Sequence, residues 1–200
     1  ICVLRYRPGS FWNPLSLRET WDVATRELRW FILETREQNQ VVPMNKENER
    51  ENLENIFISL GKNISRWTGN EERVETSIPG LSLFKRNQPT KPMGGMYEPS
   101  ICIIVQGAKR VLLGDDTYVY DENHYLITAV HLPTIAEVIT ASETKPYLGL
   151  RLKFDLHQIA QLMADSKLPP PRVHQSPRGM ATGKVTLPPL SCFQRWLELL

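Results

Sequence analysis

The spacing of hydrophobic and polar positions changes along this chain of 200 residues, and the longest regular pattern is a β pattern. Between Ile78 and Phe154, short apolar runs rich in Ile, Val, Leu, Thr and Tyr alternate with turn residues. The turn signals recur about every 8–12 residues, which is typical of antiparallel strands in an all-β sandwich or barrel. They stand at Pro99, Gly107, Gly114-Asp115-Asp116, Asp121-Glu122-Asn123, Pro133 and Pro146.

Helical periodicity flanks this β segment on both sides. From Asn45 to Thr68, apolar residues follow the i, i+3, i+4, i+7 rule, with charged residues on the opposite face. Leu187–Leu200 repeats the pattern after two prolines that a helix N-terminus tolerates. Each apolar stripe needs a surface to lie on, which is either the sheet or a second copy of the chain. The stripes consist of Leu53, Ile56, Phe57, Leu60, Ile64 and Trp67, and of Leu190, Phe193, Trp196, Leu197 and Leu200.

These patterns divide the chain into four segments. Residues 1–43 are an atypical N-terminal extension with three of the five Trp and no Lys, and the residue composition changes from Met44 onward. The extension is either translated from upstream of the natural start, or an artefact, or an additional helix. Residues 44–77 form the amphipathic helix and a linker, and residues 78–167 form the β-barrel. Residues 168–200 are a Pro-rich connector and the start of a truncated helical linker.

The second half of the chain also contains a predicted short helix and a predicted loop. Asp155 is an N-cap for a short helix to Asp165, with Leu156 and Ala160 among its inward residues. The polar, Gly-containing segment Ser176–Lys184 predicts a loop. The last apolar stripe reaches Leu200 with no Gly, Asn or Pro to end it, so we expect more protein to follow.

Charge and cysteine content exclude some classes of protein. The formal net charge is only +2, which does not favour a nucleic-acid surface. Cys2, Cys102 and Cys192 form no C-x-x-C pair, and Cys102 lies in the apolar run ICIIV as a small buried hydrophobe. The sequence shows neither a secretory leader nor a run of 18 apolar residues. These features predict a cytoplasmic protein without a membrane partner.

The histidines do not show the spacing of a cupin metal site. Two imidazoles of an H-x-H pair point to the same face of a strand, and such a pair with a carboxylate holds iron, manganese or zinc. His124, His131, His157 and His174 contain no such pair. The sequence therefore predicts no metal and no other cofactor.

Other catalytic signals are also weak. There is no G-x-S-x-G elbow. Gly94-Gly95 is better explained as a β-turn than as a phosphate loop. The basic pairs Lys85-Arg86 and Lys109-Arg110 are typical of solvated strand and turn residues. No catalytic residue is predicted.

A ligand pocket is compatible with the aromatic and charged residues of the β segment. Its candidate contacts are Tyr97, Glu98, Tyr118, Tyr125 and Arg151. Pockets are mostly apolar with a few placed polar groups, although half-buried packing on a strand explains any single Tyr as well. Arg151 alternates with Leu150 and Leu152, so it faces either solvent or an open cavity, and Glu98 is a candidate ion-pair partner.

From Ile78 to about Lys184 the chain resembles the N-terminal region of AraC-type transcription regulators. This resemblance covers somewhat more than half of the sequence. It rests on Ile78-Pro-Gly-Leu, Met96-Tyr-Glu-Pro-Ser, Gln106-Gly-Ala-Lys-Arg-Val, Tyr118 with Tyr120-Asp121, His124-Tyr-Leu, Leu132-Pro133, Pro146-Tyr-Leu-Gly-Leu-Arg-Leu and Arg178-Gly-Met.

The resemblance implies a mainly β fold, a cupin-like double-stranded β-helix barrel with flanking α-helices. It also implies a non-enzymatic domain that senses a small-molecule effector and supports a homodimer. DNA would be contacted only through a C-terminal helix-turn-helix domain that these residues lack. No ligand contact is carried over from the family. A metal-dependent cupin enzyme and a purely structural dimerisation module are the alternatives.

Overall fold

The computed structural model describes residues 46–165 and 178–200, so the extension 1–43 and most of the Pro-rich connector lie outside the described residues. The described part contains three helices and ten strands. The helices are α1 (Lys46–Thr68), α2 (Leu156–Asp165) and α3 (Leu187–Leu199). The strands are β1 (Arg73–Glu75), β2 (Leu81–Arg86), β3 (Met93–Tyr97), β4 (Ser100–Gln106), β5 (Ala108–Leu113), β6 (Asp116–Asp121), β7 (His124–Thr128), β8 (Leu132–Thr140), β9 (Tyr147–Lys153) and β10 (Met180–Lys184).

The strands form two antiparallel sheets that enclose a common interior. The larger sheet has the order β1-β2-β9-β4-β7-β10, and the smaller has the order β3-β8-β5-β6. An inner cluster draws side chains from both sheets, among them Ile104, Val111, Tyr120, Leu126 and Val138. This arrangement confirms the predicted mainly β, cupin-like fold with flanking helices.

The helices α1 and α3 cover the outer face of the larger sheet. Leu60 and Ile64 of α1 and Leu190 and Leu197 of α3 are almost completely buried there, in one cluster with strand residues such as Leu150. The predicted apolar stripes are therefore correct as patterns. Their partner is this chain's own sheet, so the stripes are already occupied and do not form a free dimer face.

Gly107 links the two sheets where β4 turns into β5. Its φ is +93°, and a Cβ at this position would lie 2.5 Å from the carbonyl oxygen of Thr140. A side chain would be strained by the backbone conformation and would also collide with that oxygen. The predicted turn at Gly107 is confirmed.

Three local predictions differ from the structure. Pro133 is a strand residue of β8 opposite Met96, and Gly94-Gly95 lies within β3 rather than in a turn. The predicted loop Ser176–Lys184 contains β10, which pairs with β7 from Met180 to Lys184. Strand formation depends on the neighbouring strand more than on intrinsic preference, which explains these differences.

The sheet also extends beyond the predicted barrel range. Both β1 and β10 belong to the larger sheet, although they lie before residue 78 and after residue 167.

The helix α2 begins where the sequence predicts. The Asp155 side chain accepts hydrogen bonds from the backbone N–H groups of His157 (2.9 Å) and Gln158 (3.3 Å), as an N-cap does. Leu156 and Ala160 are exposed, so the predicted inward orientation of these two residues is wrong. In the described ranges, no helix has the length and apolarity needed to cross a membrane.

Candidate ligand site between the two sheets

A cavity of about 330 Å³ opens between the two sheets, next to the inner cluster. Strands of both sheets supply its wall. Its aromatic residues are Phe84, Tyr97, Tyr120 and Tyr147, and its charged residues are Arg73, Arg86, Glu98, Lys109, Glu137 and Arg151. Ligand sites in proteins have volumes of roughly 300–1,000 Å³ and a mostly apolar wall with few polar groups. The cavity therefore fits a small organic molecule.

Strand alternation in β9 places Arg151 at this cavity. Leu150 and Leu152 belong to the cluster beneath the helices, and the residue between them consequently faces the interior. Arg151 is opposite Ser82 on one side and Cys102 on the other. The second of the two orientations predicted for Arg151, into a cavity, is the one observed.

The Arg151 guanidinium is held loosely and is incompletely hydrogen-bonded. Its Nη2 donates to Ser82 Oγ at 3.4 Å, and its carbon Cζ lies 5.6 Å from the centroid of the Phe84 ring. Its Nε is buried and has no hydrogen-bond partner in the described part of the chain. A buried donor without an acceptor costs about 1–3 kcal/mol, and more when it is charged.

Ser82 connects Arg151 to a carboxylate without forming a direct ion pair. Ser82 Oγ donates to Glu75 Oε2 at 2.7 Å, and Arg73 Nε donates to Glu75 Oε1 at 2.7 Å. Burial by itself raises the pKa of the Glu75 carboxyl, but the hydrogen bonds from Ser82 and Arg73 and the nearby guanidinium groups hold that pKa below its ordinary value. Glu75 is therefore ionised at neutral pH.

Tyr97 and Lys109 face the cavity from the smaller sheet. The Tyr97 hydroxyl is buried and, among the described residues, has no hydrogen-bond partner. Burial raises the pKa of Tyr97 well above its ordinary value, so the hydroxyl keeps its proton and is a donor. The Lys109 ammonium lies 5.3 Å from the centroid of the Tyr97 ring. Opposite Lys109 stand Tyr120 and Val138, both residues of the inner cluster.

Glu98 lines the cavity, but its partner is not Arg151. Lys153 Nζ lies 2.5 Å from Glu98 Oε2, and this hydrogen bond lowers the pKa of the Glu98 carboxyl. The carboxylate is thus already neutralised by a lysine that is not part of the cavity wall.

Of the five residues predicted to contact a ligand, the structure brings three together. Tyr97, Glu98 and Arg151 line the cavity, whereas Tyr118 and Tyr125 do not. Tyr118 packs beside the inner cluster. Tyr125 is opposite Ile103 and packs against the outer cluster, on the helix side of the sheet. Ligand contact itself stays a prediction for all five.

Lys109, predicted to be a solvated residue, lines the cavity and was not among the predicted ligand contacts. A signal for it was present, because Lys109, Val111 and Leu113 share one face of β5 by strand alternation. Val111 and Leu113 are buried, so the lysine of that row faces the interior as well. Arg110, on the opposite face, is exposed.

Cys102 and three of the four histidines lie within the described part of the chain. His124 Nδ1 is 2.9 Å from Asp121 Oδ1, and His131 and His157 are exposed. His174 lies outside the described residues. No group of three His, Cys, Asp or Glu side chains in the described ranges is arranged to hold a metal ion. Cys102 lines the cavity, and burial raises the pKa of its thiol.

The sequence profile of the family described as "AraC-type transcriptional regulator N-terminus" matches residues 77–200, more than half of the chain. The chain belongs to this family. The match begins just before the Ile78-Pro-Gly segment and contains every cavity-lining residue except Arg73. No curated protein shows a significant sequence match to the chain.

Solved structures with similar folds share little sequence with this AraC-type domain. Apo ToxT from Vibrio cholerae is 7% identical with a TM-score of 0.42, over 60% of this chain and 48% of ToxT. A cupin-2 domain protein from Shewanella frigidimarina is 10% identical with a TM-score of 0.25, over 40% of this chain and 76% of that protein. A salicylate 1,2-dioxygenase from Pseudoaminobacter salicylatoxidans, in complex with gentisate, is 11% identical with a TM-score of 0.30, over 64% and 35% of the two chains. The chain thus spans about half of the ToxT structure.

Proposed function

We propose that this AraC-type domain binds a small-molecule effector in the cavity between its two sheets and so regulates transcription, without catalysing a reaction. The observation that carries the proposal is the cavity itself, whose wall contains two buried donors, Arg151 Nε and the Tyr97 hydroxyl, without hydrogen-bond partners in the described chain. Buried polar groups in proteins are nearly always satisfied. A ligand with an acceptor placed between these donors would satisfy them.

Membership of a regulator family supports binding as the role of this cavity. The formal net charge of +2 does not favour direct contact of these residues with DNA. We therefore assign effector binding to the described domain and not operator recognition. The cytoplasm is the expected location of such a regulator.

A homodimer is part of the proposal, and its interface must use surfaces other than the buried stripes of α1 and α3. Sedimentation of the chain measures this directly. We expect a species of twice the monomer mass, and a monomer at all protein concentrations would remove the dimer from the proposal.

Effector binding is tested with two variants at neighbouring positions of β8. Ala136 lines the cavity, whereas the adjacent Ile135 is exposed on the outer face. Ala136→Phe fills the cavity and Ile135→Phe does not. The assay is a thermal-shift screen with small aldehydes, aromatic compounds and sugars, because a ligand that binds only the folded state raises Tm.

We expect at least one compound to stabilise the unchanged protein and Ile135→Phe but not Ala136→Phe. Circular dichroism verifies that both variants are folded. Stabilisation that survives in Ala136→Phe would place the ligand elsewhere, and the absence of any stabilising compound would favour the purely structural module.

A further inference from the structure

The ion pairs around the cavity leave two of its cations unmatched. Each carboxylate in or beside the wall has its own cationic partner, and no carboxylate of the described residues lies within ion-pair distance of Arg151 or Lys109. The matched pairs are Glu75 with Arg73, Glu72 with Arg86, Glu98 with Lys153 and Glu137 with Arg110.

The two unmatched cations line the same cavity from opposite sheets. Arg151 enters from the larger sheet over Phe84, and Lys109 enters from the smaller sheet over Tyr97. Lys109 and Arg151 are half-buried and have no carboxylate within ion-pair distance in the described chain, so an anion between them would be electrostatically favourable. Tyr97, with its buried hydroxyl, adds an uncharged donor to the same region.

The number and type of donors indicate the kind of anion. A guanidinium is a planar fork that matches the two oxygens of a carboxylate. Burying a dianion costs more than burying a monoanion, so the uncharged and aromatic part of this wall favours a carboxylate over a phosphate. The rest of the wall includes Phe84, Tyr120, Tyr147 and Val138, which suit an apolar or aromatic body.

We infer that the effector of this domain is a small monocarboxylate with an apolar body, whose carboxylate is bound by Arg151 and Tyr97 and faces Lys109. This inference rests on the proposed function and deepens it. A guanidinium is a cation with a geometry that matches a carboxylate, so the site prefers the ionised form of the acid.

The probes are matched pairs of equal shape and different charge. Benzoate, 4-hydroxybenzoate and hexanoate are compared with benzamide, 4-hydroxybenzamide and hexanamide, and phenyl phosphate tests the dianion. Thermal shift followed by calorimetric titration is applied to the whole chain at neutral pH. We expect at least one carboxylate to bind at least tenfold more tightly than its amide and more tightly than phenyl phosphate.

Substitutions at positions 151 and 109 test whether Arg151 and Lys109 cause the preference for the carboxylate over the amide. Arg151→Met should weaken carboxylate binding at least tenfold, Arg151→Lys should weaken it less, and Lys109→Met should reduce the preference over the amide. Lys62→Met, on the exposed side of α1, is the matched control and should bind like the unchanged protein. The lysine variant keeps the charge at position 151, so a folding defect caused by a buried methionine is distinguished from the loss of the anion contact.

Failure of this inference differs from failure of the proposed function. If the amides bind as tightly as the acids and Ala136→Phe abolishes both, the cavity is an effector site for neutral molecules and the inference is wrong. Carboxylate binding that is unchanged in Arg151→Met and Lys109→Met also overturns it. If no compound of either panel binds, both the inference and the effector-binding proposal fail.

Discussion

The packing of α3 on the larger sheet predicts a large difference between two leucines of the same helix. Leu197 is 2% exposed and belongs to the cluster shared by both helices and the sheet, whereas Leu199 is 69% exposed. Replacing a buried leucine with alanine costs about 2–5 kcal/mol of unfolding free energy, because contacts are lost and a cavity is left. A surface substitution changes it by less than about 0.5 kcal/mol.

The assay is urea unfolding of Leu197→Ala and Leu199→Ala, followed by far-ultraviolet circular dichroism. With a slope of about 2 kcal/mol per molar urea, a loss of about 3 kcal/mol lowers the midpoint by about 1.5 M. We expect such a shift for Leu197→Ala and almost none for Leu199→Ala.

The same pair tests whether the stripe of α3 packs within the chain or between two chains. Sedimentation of both variants is measured together with unfolding. A Leu197→Ala protein that keeps the unfolding midpoint of the unchanged chain but loses self-association would refute the intramolecular packing.

Two further predictions concern the sheet junction and acid stability. Gly107→Ala should destabilise the fold by about 1–3 kcal/mol or more, because of backbone strain and the collision with the Thr140 carbonyl oxygen. The control Gly94→Ala should be nearly neutral in the same urea assay, because a Cβ at position 94 meets nothing within 4 Å. Equal unfolding midpoints for the two variants would contradict the geometry at Gly107. A hydrogen bond with His124 lowers the pKa of Asp121, so its contribution is present above the unfolded Asp pKa of about 3.9 and is lost as the pH falls through the lower folded value. The stability of Asp121→Asn should therefore vary less with pH in this range than that of the exposed control Asp115→Asn. Parallel curves would show that the hydrogen bond between Asp121 and His124 does not cause the acid sensitivity.

Features that depend on local periodicity could be predicted from the sequence. The stripe of α1, the N-cap at Asp155 and the alternation around Arg151 all follow from residues close together in the chain, where helix and strand periods determine the exposed face. The helical stripes indicated that a covering surface exists, but they could not distinguish the sheet from a second chain, because a stripe is apolar in either case.

Features that depend on pairing between distant segments could not be predicted. The strand β10 has the sequence Met-Ala-Thr-Gly-Lys, which has little intrinsic preference for β structure, and it forms because β7 offers a free edge. The positions of Tyr118 and Tyr125 outside the cavity wall could not be predicted, because the sequence does not show which face of each strand meets the cavity. The matching of Glu98 with Lys153 likewise depends on the close approach of β9 to the residues that precede β4.

Strand β9 provides a physical route from the proposed effector site to the helices. Arg151 faces the cavity, while its neighbours Leu150 and Leu152 lie in the cluster that holds α1 and α3. A displacement of β9 that improves the contact of Arg151 with a ligand therefore also moves the surface on which these helices pack. A ligand shifts such an equilibrium only by its difference in affinity for the two arrangements, and a tenfold difference corresponds to about 1.4 kcal/mol. That amount is comparable to the loss of part of one buried leucine contact, so a modest repacking beneath α3 would be sufficient to transmit the proposed effector binding to the helix.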